Sequence, residues 1–152
     1  RLLFVGAPPP RIAEVGDRAR ELGLGGRVSV LGHRDDVPEI LAASDVVVDA
    51  SWAGLGLTGS LREALACGRP VIGTNLAGMP ELIADGQTGI LVPPRDPAAL
   101  PQAIAKLAEN PDWCRELARA VRARVVERFS VRAKLDATEA LYRRLVGHRA
   151  PA

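Results

Sequence analysis

Five short apolar runs recur along this chain, each closed by glycine, proline or a polar residue and each followed by a stretch with helical spacing. The runs are Leu2–Gly6, Arg27–Leu31, Asp45–Ala50, Val71–Thr74 and Gly89–Val92. Each is continuously apolar instead of alternating, with three successive valines in Asp45–Ala50, which predicts strands covered on both faces. The intervening segments Arg11–Leu22, Val37–Ala43, Ser60–Cys67 and Met79–Ala84 carry apolar residues at helical spacing. Ile12, Val15, Ala19 and Leu22 form one such stripe, and Pro8–Pro10 ahead of it read as a loop. Strand and helix in strict alternation predict βα units wound into one parallel sheet of about five strands. Three further helices follow, at Ala98–Glu109, Asp112–Arg128 and Arg132–Val146.

The chain has 152 residues, 47% of them hydrophobic and 25% charged, which suits one globular domain and excludes general disorder. A formal net charge of +2 and 3% aromatic residues speak against a nucleic-acid surface. No apolar run approaches the roughly 18–20 residues that span a bilayer. Cys67 and Cys114 are separate thiols without CxxC spacing, which suits a reducing cytosol more than a disulfide scaffold. With His33 and His148 far apart as well, no metal-ligand spacing is present.

In a parallel sheet of this kind, ligands lie beyond the carboxyl ends of the strands. The loops to examine are therefore Ala7–Pro10, Gly32–Asp36, Ser51–Gly59 and Asn75–Pro80. Ser51–Cys67 reads SWAGLGLTGSLREALAC. Its small residues Gly54, Gly56, Thr58 and Gly59 lead from a buried strand into a helix, as an anion site at a helix N-terminus requires. A tight strand-to-helix turn would use the same glycines. Gly54–Gly59 is also a literal GxGxxG. It stands three residues beyond its strand, however, and the next strand ends at Asn75 without the acid a dinucleotide site uses. Glu63, one turn into that helix, could accept two hydroxyl hydrogen bonds from a ribose, or be an ordinary surface glutamate.

From Gly56 the chain runs GLTGSLREALACGRPVIGT and then, at Ala77–Glu81, AGMPE. Together with LLFVG, VSVLGH, SDVVVDAS, DGQTGILVPPRDP and the closing FS and LYRRL segments, this order resembles a known family over about the whole chain. That family is the retaining GT-B glycosyltransferases of family 4, the glycosyltransferase group 1 domain, and the resemblance is to their donor-binding C-terminal half. It implies a Rossmann-like α/β domain, half of a GT-B fold, that binds a nucleotide-diphosphate sugar. The longer parent would be a hexosyltransferase of polysaccharide or glycoconjugate biosynthesis, working in the cytoplasm or at the inner face of the membrane, without metal or other cofactor. Gly56–Ser60 (Gly56, Leu57, Thr58, Gly59, Ser60) would receive the diphosphate at the helix start. Glu63 would hold the ribose, and Gly32 and His33 would meet the nucleobase through main-chain groups.

Two departures accompany the resemblance. Leu55 stands where the family places the first glutamate of its E-x7-E pattern, facing the transferred sugar. A first βα unit and the N-terminal acceptor domain would precede Leu2 and are not in this sequence. The expectation is a chain 1–152 with little transferase activity alone, and a dimer or strand swap to cover the open strand edges.

Other features support several readings. Arg34, Arg62, Arg69 and Arg95 stand near loops or helix ends where a diphosphate could be neutralised, and Arg34 is the one assigned to the site. The arginines of the last helices, from Arg115 to Arg149, read as a surface for anionic lipid or as an ordinary solvated face broken by Glu116, Glu127 and Glu139. Asp35, Asp36, Asp49, Thr74 and Lys106 could serve a phospho-acceptor receiver, although the paired acids follow the second strand instead of the first. A nucleotide-binding or assembly module without turnover is a further alternative.

Overall fold

The computed structural model describes residues 1–53 and 58–147. They form two compact units that divide between Val37 and Pro38. The five strands are all present and all parallel, but they are hydrogen-bonded as two sheets.

In the first unit β1 (Leu2–Phe4) pairs with β2 (Val28–Val30), Leu3 opposite Ser29. Between them runs α1 (Pro9–Glu21). The sequence reading of Pro8–Pro10 as loop is corrected here, because Pro9 and Pro10 occupy the first helical turn. Proline is accommodated there since the first amides of a helix have no intrahelical acceptor. The helix ends where Gly23 takes φ +68° and its N–H donates to the Arg20 carbonyl at 2.9 Å. Ala19 is the one buried residue of α1. Leu2, Phe4, Val15, Ala19 and Leu22 border a cavity of about 280 Å³.

The second unit holds the main core. Its elements are α2 (Val37–Ala43), β3 (Val47–Asp49), α3 (Gly59–Ala66), β4 (Val71–Thr74), α4 (Met79–Leu82) and β5 (Ile90–Val92). Three long helices, α5 (Ala99–Glu109), α6 (Pro111–Phe129) and α7 (Val131–Gly147), complete it. The sheet order is β3-β4-β5, with Asp49 opposite Gly73 and Gly73 opposite Leu91.

β4, in the centre, is buried at all four positions. Ile72 packs with Val92, Ala103, Leu107 and Leu117, so β4, β5, α5 and α6 share one core. Leu61, Ala64 and Leu65 give α3 a fully buried face, and α3 packs against α6. Close packing leaves no room for a side chain at Gly73, where a Cβ would lie 2.8 Å from Ile83 Cδ1. The expectation that every strand is covered on both faces fails for β1 and β3. All three residues of β1 are exposed and Val48 of β3 is 36% exposed; faces are covered by helices, and α1 packs chiefly on β2, leaving β1 bare.

α7 has no buried residue among those described, 131–146. Arg115, Arg132 and Arg143 each pair with an acid one turn away, Asp112, Asp136 and Glu139, so much of the tail's positive charge is answered within its own helices. Cys67 and Cys114 are free thiols. No helix among the described residues is long and apolar enough to cross a membrane.

Candidate functional site

The carboxyl ends of β3, β4 and β5 form one edge of the second unit's sheet, and α3 starts from that edge. At the end of β3 the Asp49 carboxylate accepts the Ser51 N–H at 3.0 Å, turning the chain out of the strand. Burial pushes this carboxyl up, but donation from the Ser51 side chain and amide outweighs it and holds Asp49 below the ordinary carboxylate range. The Thr74 hydroxyl donates to the Asp49 carbonyl at 3.4 Å, tying β4 to the same point.

Thr58 is the N-cap residue of α3, with extended backbone (φ −75°, ψ 141°), and its side chain does not cap the helix. Its hydroxyl oxygen is buried and faces the Asp49 carboxylate, which it helps to hold low. The first-turn amides of α3 thus lack the side-chain acceptor that Ser, Thr or Asp normally supplies at this position. Gly59 and Ser60 are exposed beside Thr58. Glu63 lies one turn on, over the same face, with Oε1 3.7 Å from where a Cβ on Gly59 would stand. The reason is helix geometry: positions four apart align, and burial of Leu61, Ala64 and Leu65 forces 59, 60 and 63 outward. An exposed helix start with free amides, backbone approachable at Gly59 and a carboxylate one turn in can receive an anion and a diol together.

Gly56 and Leu57, with Gly54 and Leu55, lie outside the described residues, as does His148. Gly32, His33 and Arg34 belong to the first unit. The Gly32 carbonyl accepts the Gly6 N–H at 3.1 Å beyond the ends of β1 and β2. His33 Nε2 lies 3.4 Å from Asp35 Oδ1, both side chains nearly fully exposed. Arg34 is engaged by Asp36 through two hydrogen bonds, 2.7 and 2.5 Å. The hydrogen bond and the charge of Asp36 raise the Arg34 guanidinium, and the same bond lowers the Asp36 carboxyl.

The remaining cations separate by edge. Arg69 precedes β4 and donates to the Ser44 carbonyl at 3.3 Å, at the opposite end of the strands. Arg95 follows β5 at the ligand edge and lies over the Trp52 ring. Trp52 was not among the residues expected at the site. An indole in a loop just beyond a strand was the available signal. Among the described residues no group of three or more His, Cys, Asp or Glu could hold a metal ion.

A family model described as glycosyl transferases group 1 matches residues 1–110. The chain is 33% identical over 143 residues to N-acetyl-alpha-D-glucosaminyl L-malate synthase of Bacillus anthracis, covering 93% of this chain and 37% of that protein. It is 34% identical over 157 residues to alpha-maltose-1-phosphate synthase of Mycolicibacterium smegmatis, covering 95% and 40%. The Anabaena protein HepE, solved in complex with UDP, superposes with a TM-score of 0.83 at 30% identity, over 92% of this chain and 40% of that one. The chain thus spans about two fifths of the length of these relatives, and its α/β architecture is that of half a GT-B fold.

Proposed function

Because the chain belongs to the glycosyl transferases group 1 family, we propose that it is the donor-nucleotide half of a retaining glycosyltransferase. It binds a nucleotide-diphosphate sugar, and the longer parent passes the sugar to an acceptor with retention at the anomeric carbon. The observation that carries this reading is the uncapped start of α3 with Glu63 standing over it. The solved UDP complex of HepE supports it.

Each residue then has a physical task. The amides of Gly59 and Ser60, at the positive end of α3, meet the diphosphate. They stabilise the charge that grows on it as the bond from the anomeric carbon to the phosphate oxygen breaks and the oxygen keeps the electron pair. The Thr58 hydroxyl, buried at the same helix start, is a further side-chain donor beside that charge. Glu63 accepts the two ribose hydroxyls, fixing the nucleotide while the sugar departs. In the first unit, the main-chain groups of Gly32 and His33 are the candidates for reading a base, and the Arg34 guanidinium is held there by Asp36. Preorganised donors of this kind need no metal.

Leu55 supplies no carboxylate to the sugar, which favours a second reading: a nucleotide-sugar-binding module without turnover. Transferase assay of the parent separates the two. Calorimetric titration of this chain with UDP-glucose, GDP-mannose and ADP-glucose tests the first reading. At least one donor binds, and Glu63→Ala weakens it by roughly 10- to 100-fold, the loss of two hydrogen bonds to a charged acceptor. Absence of binding, or binding indifferent to Glu63, overturns the reading.

A further inference from the structure

Trp52 and Arg95 meet at the ligand edge of the second unit, and the donor site described above uses neither. Trp52 comes just after β3 and is 67% exposed. Arg95 comes just after β5, and its guanidinium carbon lies 5.5 Å from the centre of the indole ring. Two features of the pair are unfavourable by themselves. The indole leaves a large apolar surface in water. Arg95 holds φ +60°, a left-handed conformation that glycine takes freely and an arginine does not. Pro93, Pro94 and Pro97 surround it and stiffen the loop. Backbone strain of this kind collects where a side chain has to be held in one place.

The guanidinium is also free to bind. Arg95 forms no ion pair among the described residues. Its neighbour Asp96 is occupied at the start of α5, accepting the Ala98 and Ala99 N–H groups at 2.9 and 3.1 Å. The segment between Asp49 and Glu63 contains no acidic residue, and the Asp49 carboxylate at its root is engaged by the Ser51 N–H.

We propose that Trp52 and Arg95 form a subsite for a sugar ring bearing a carboxylate or a phosphate. The C–H face of the ring packs on the indole. The anionic group is taken by the guanidinium fork, which stacking on the indole orients in advance. The inference rests on the donor reading for its context, since the sugar of the donor and the acceptor meet at this edge. The anionic ring belongs to one of those two, and the test separates them.

Calorimetry on this chain compares UDP-glucuronate with UDP-glucose for the donor source, and glucose 1-phosphate with glucose for the acceptor source. The charged member is preferred by about fivefold or more in one arm, the range of a single solvent-accessible charge-assisted contact. Arg95→Gln, which keeps the stem and removes the charge, brings that ratio to about one. Trp52→Ala does the same, and Trp52→Phe, which keeps a ring and guards against misfolding, retains part of the preference. Equal affinity for charged and neutral sugars in both arms overturns the subsite, as does a preference that survives Arg95→Gln. If none of UDP-glucose, GDP-mannose and ADP-glucose binds, the donor reading fails, and the glucose 1-phosphate arm still decides the subsite.

Discussion

β4 in the second unit and β1 in the first are both short apolar runs, yet β4 is buried at every position and β1 at none. β4 has a strand on each side, with α3 and α5 packed on it. β1 has one neighbouring strand, and α1 packs on β2. The comparison shows that an apolar run states what a strand can bury, and its neighbours decide what it does bury. It also separates the units by packing: the α3 start projects from a filled core, whereas Gly32–Asp36 extends from a sheet of two strands.

The largest expected effect contrasts the two cores directly. Leu61→Ala, at a side chain with 0% exposure, costs about 3–4 kcal/mol in urea unfolding. Phe4→Ala, at 39% exposure, costs about 1 kcal/mol or less, because a solvated site has little apolar contact to lose. Equal losses would break the comparison.

Glycines sharpen it. At Gly89 a Cβ would lie 2.7 Å from the Val71 carbonyl oxygen, so Gly89→Ala destabilises by about 2–3 kcal/mol. Gly16, inside α1, has nothing within 4 Å of a Cβ, so Gly16→Ala stabilises by about 0.5–1 kcal/mol through helix propensity. Thermal melts of both variants moving in the same direction would contradict the difference in packing. Ala77 has φ 44°, and Ala77→Gly is expected to raise the melting temperature slightly by relieving a left-handed alanine, a gain of about 1 kcal/mol.

The smallest effect is on acid stability. Asp49 and Asp36 both have folded carboxyls below the ordinary 3.8. A lowered folded value means the ionised form favours the native state, so this stability is present above about pH 4 and is lost as pH falls through the folded value. Asp49→Asn flattens the decline in melting temperature between pH 5 and pH 3, and Asp36→Asn flattens it less. Asp49 is partly buried, whereas the Arg34–Asp36 pair stands in solvent and is screened. The reverse order would show the exposed pair to be the stronger.

Much of the fold is visible in the sequence where local chemistry determines it. Val37–Ala43 and Val71–Thr74 have the bounds their apolar spacing predicts. Gly68, at φ +67°, ends α3 where a left-handed residue is needed. The start of α1 was misplaced because two prolines suit a first helical turn as well as a loop. Division into two sheets was not visible, since strand neighbours are set by tertiary pairing and not by the pattern within each run. The outward face of α3 follows from helical spacing, so Gly59, Ser60 and Glu63 could be grouped in advance. The Trp52–Arg95 contact could not. It joins two loops far apart in sequence through a left-handed arginine, and no local signal marks that conformation.

The most direct test of the central claim is to follow the backbone amides of α3 by ¹⁵N NMR while adding UDP, GDP or ADP and, separately, the corresponding nucleosides. If the diphosphate sits on the helix start, the Gly59 and Ser60 amides shift strongly with at least one diphosphate and hardly at all with its nucleoside. If none of the three diphosphates moves either amide, or the nucleoside moves them as far, the start of α3 is not the diphosphate site and the account is wrong.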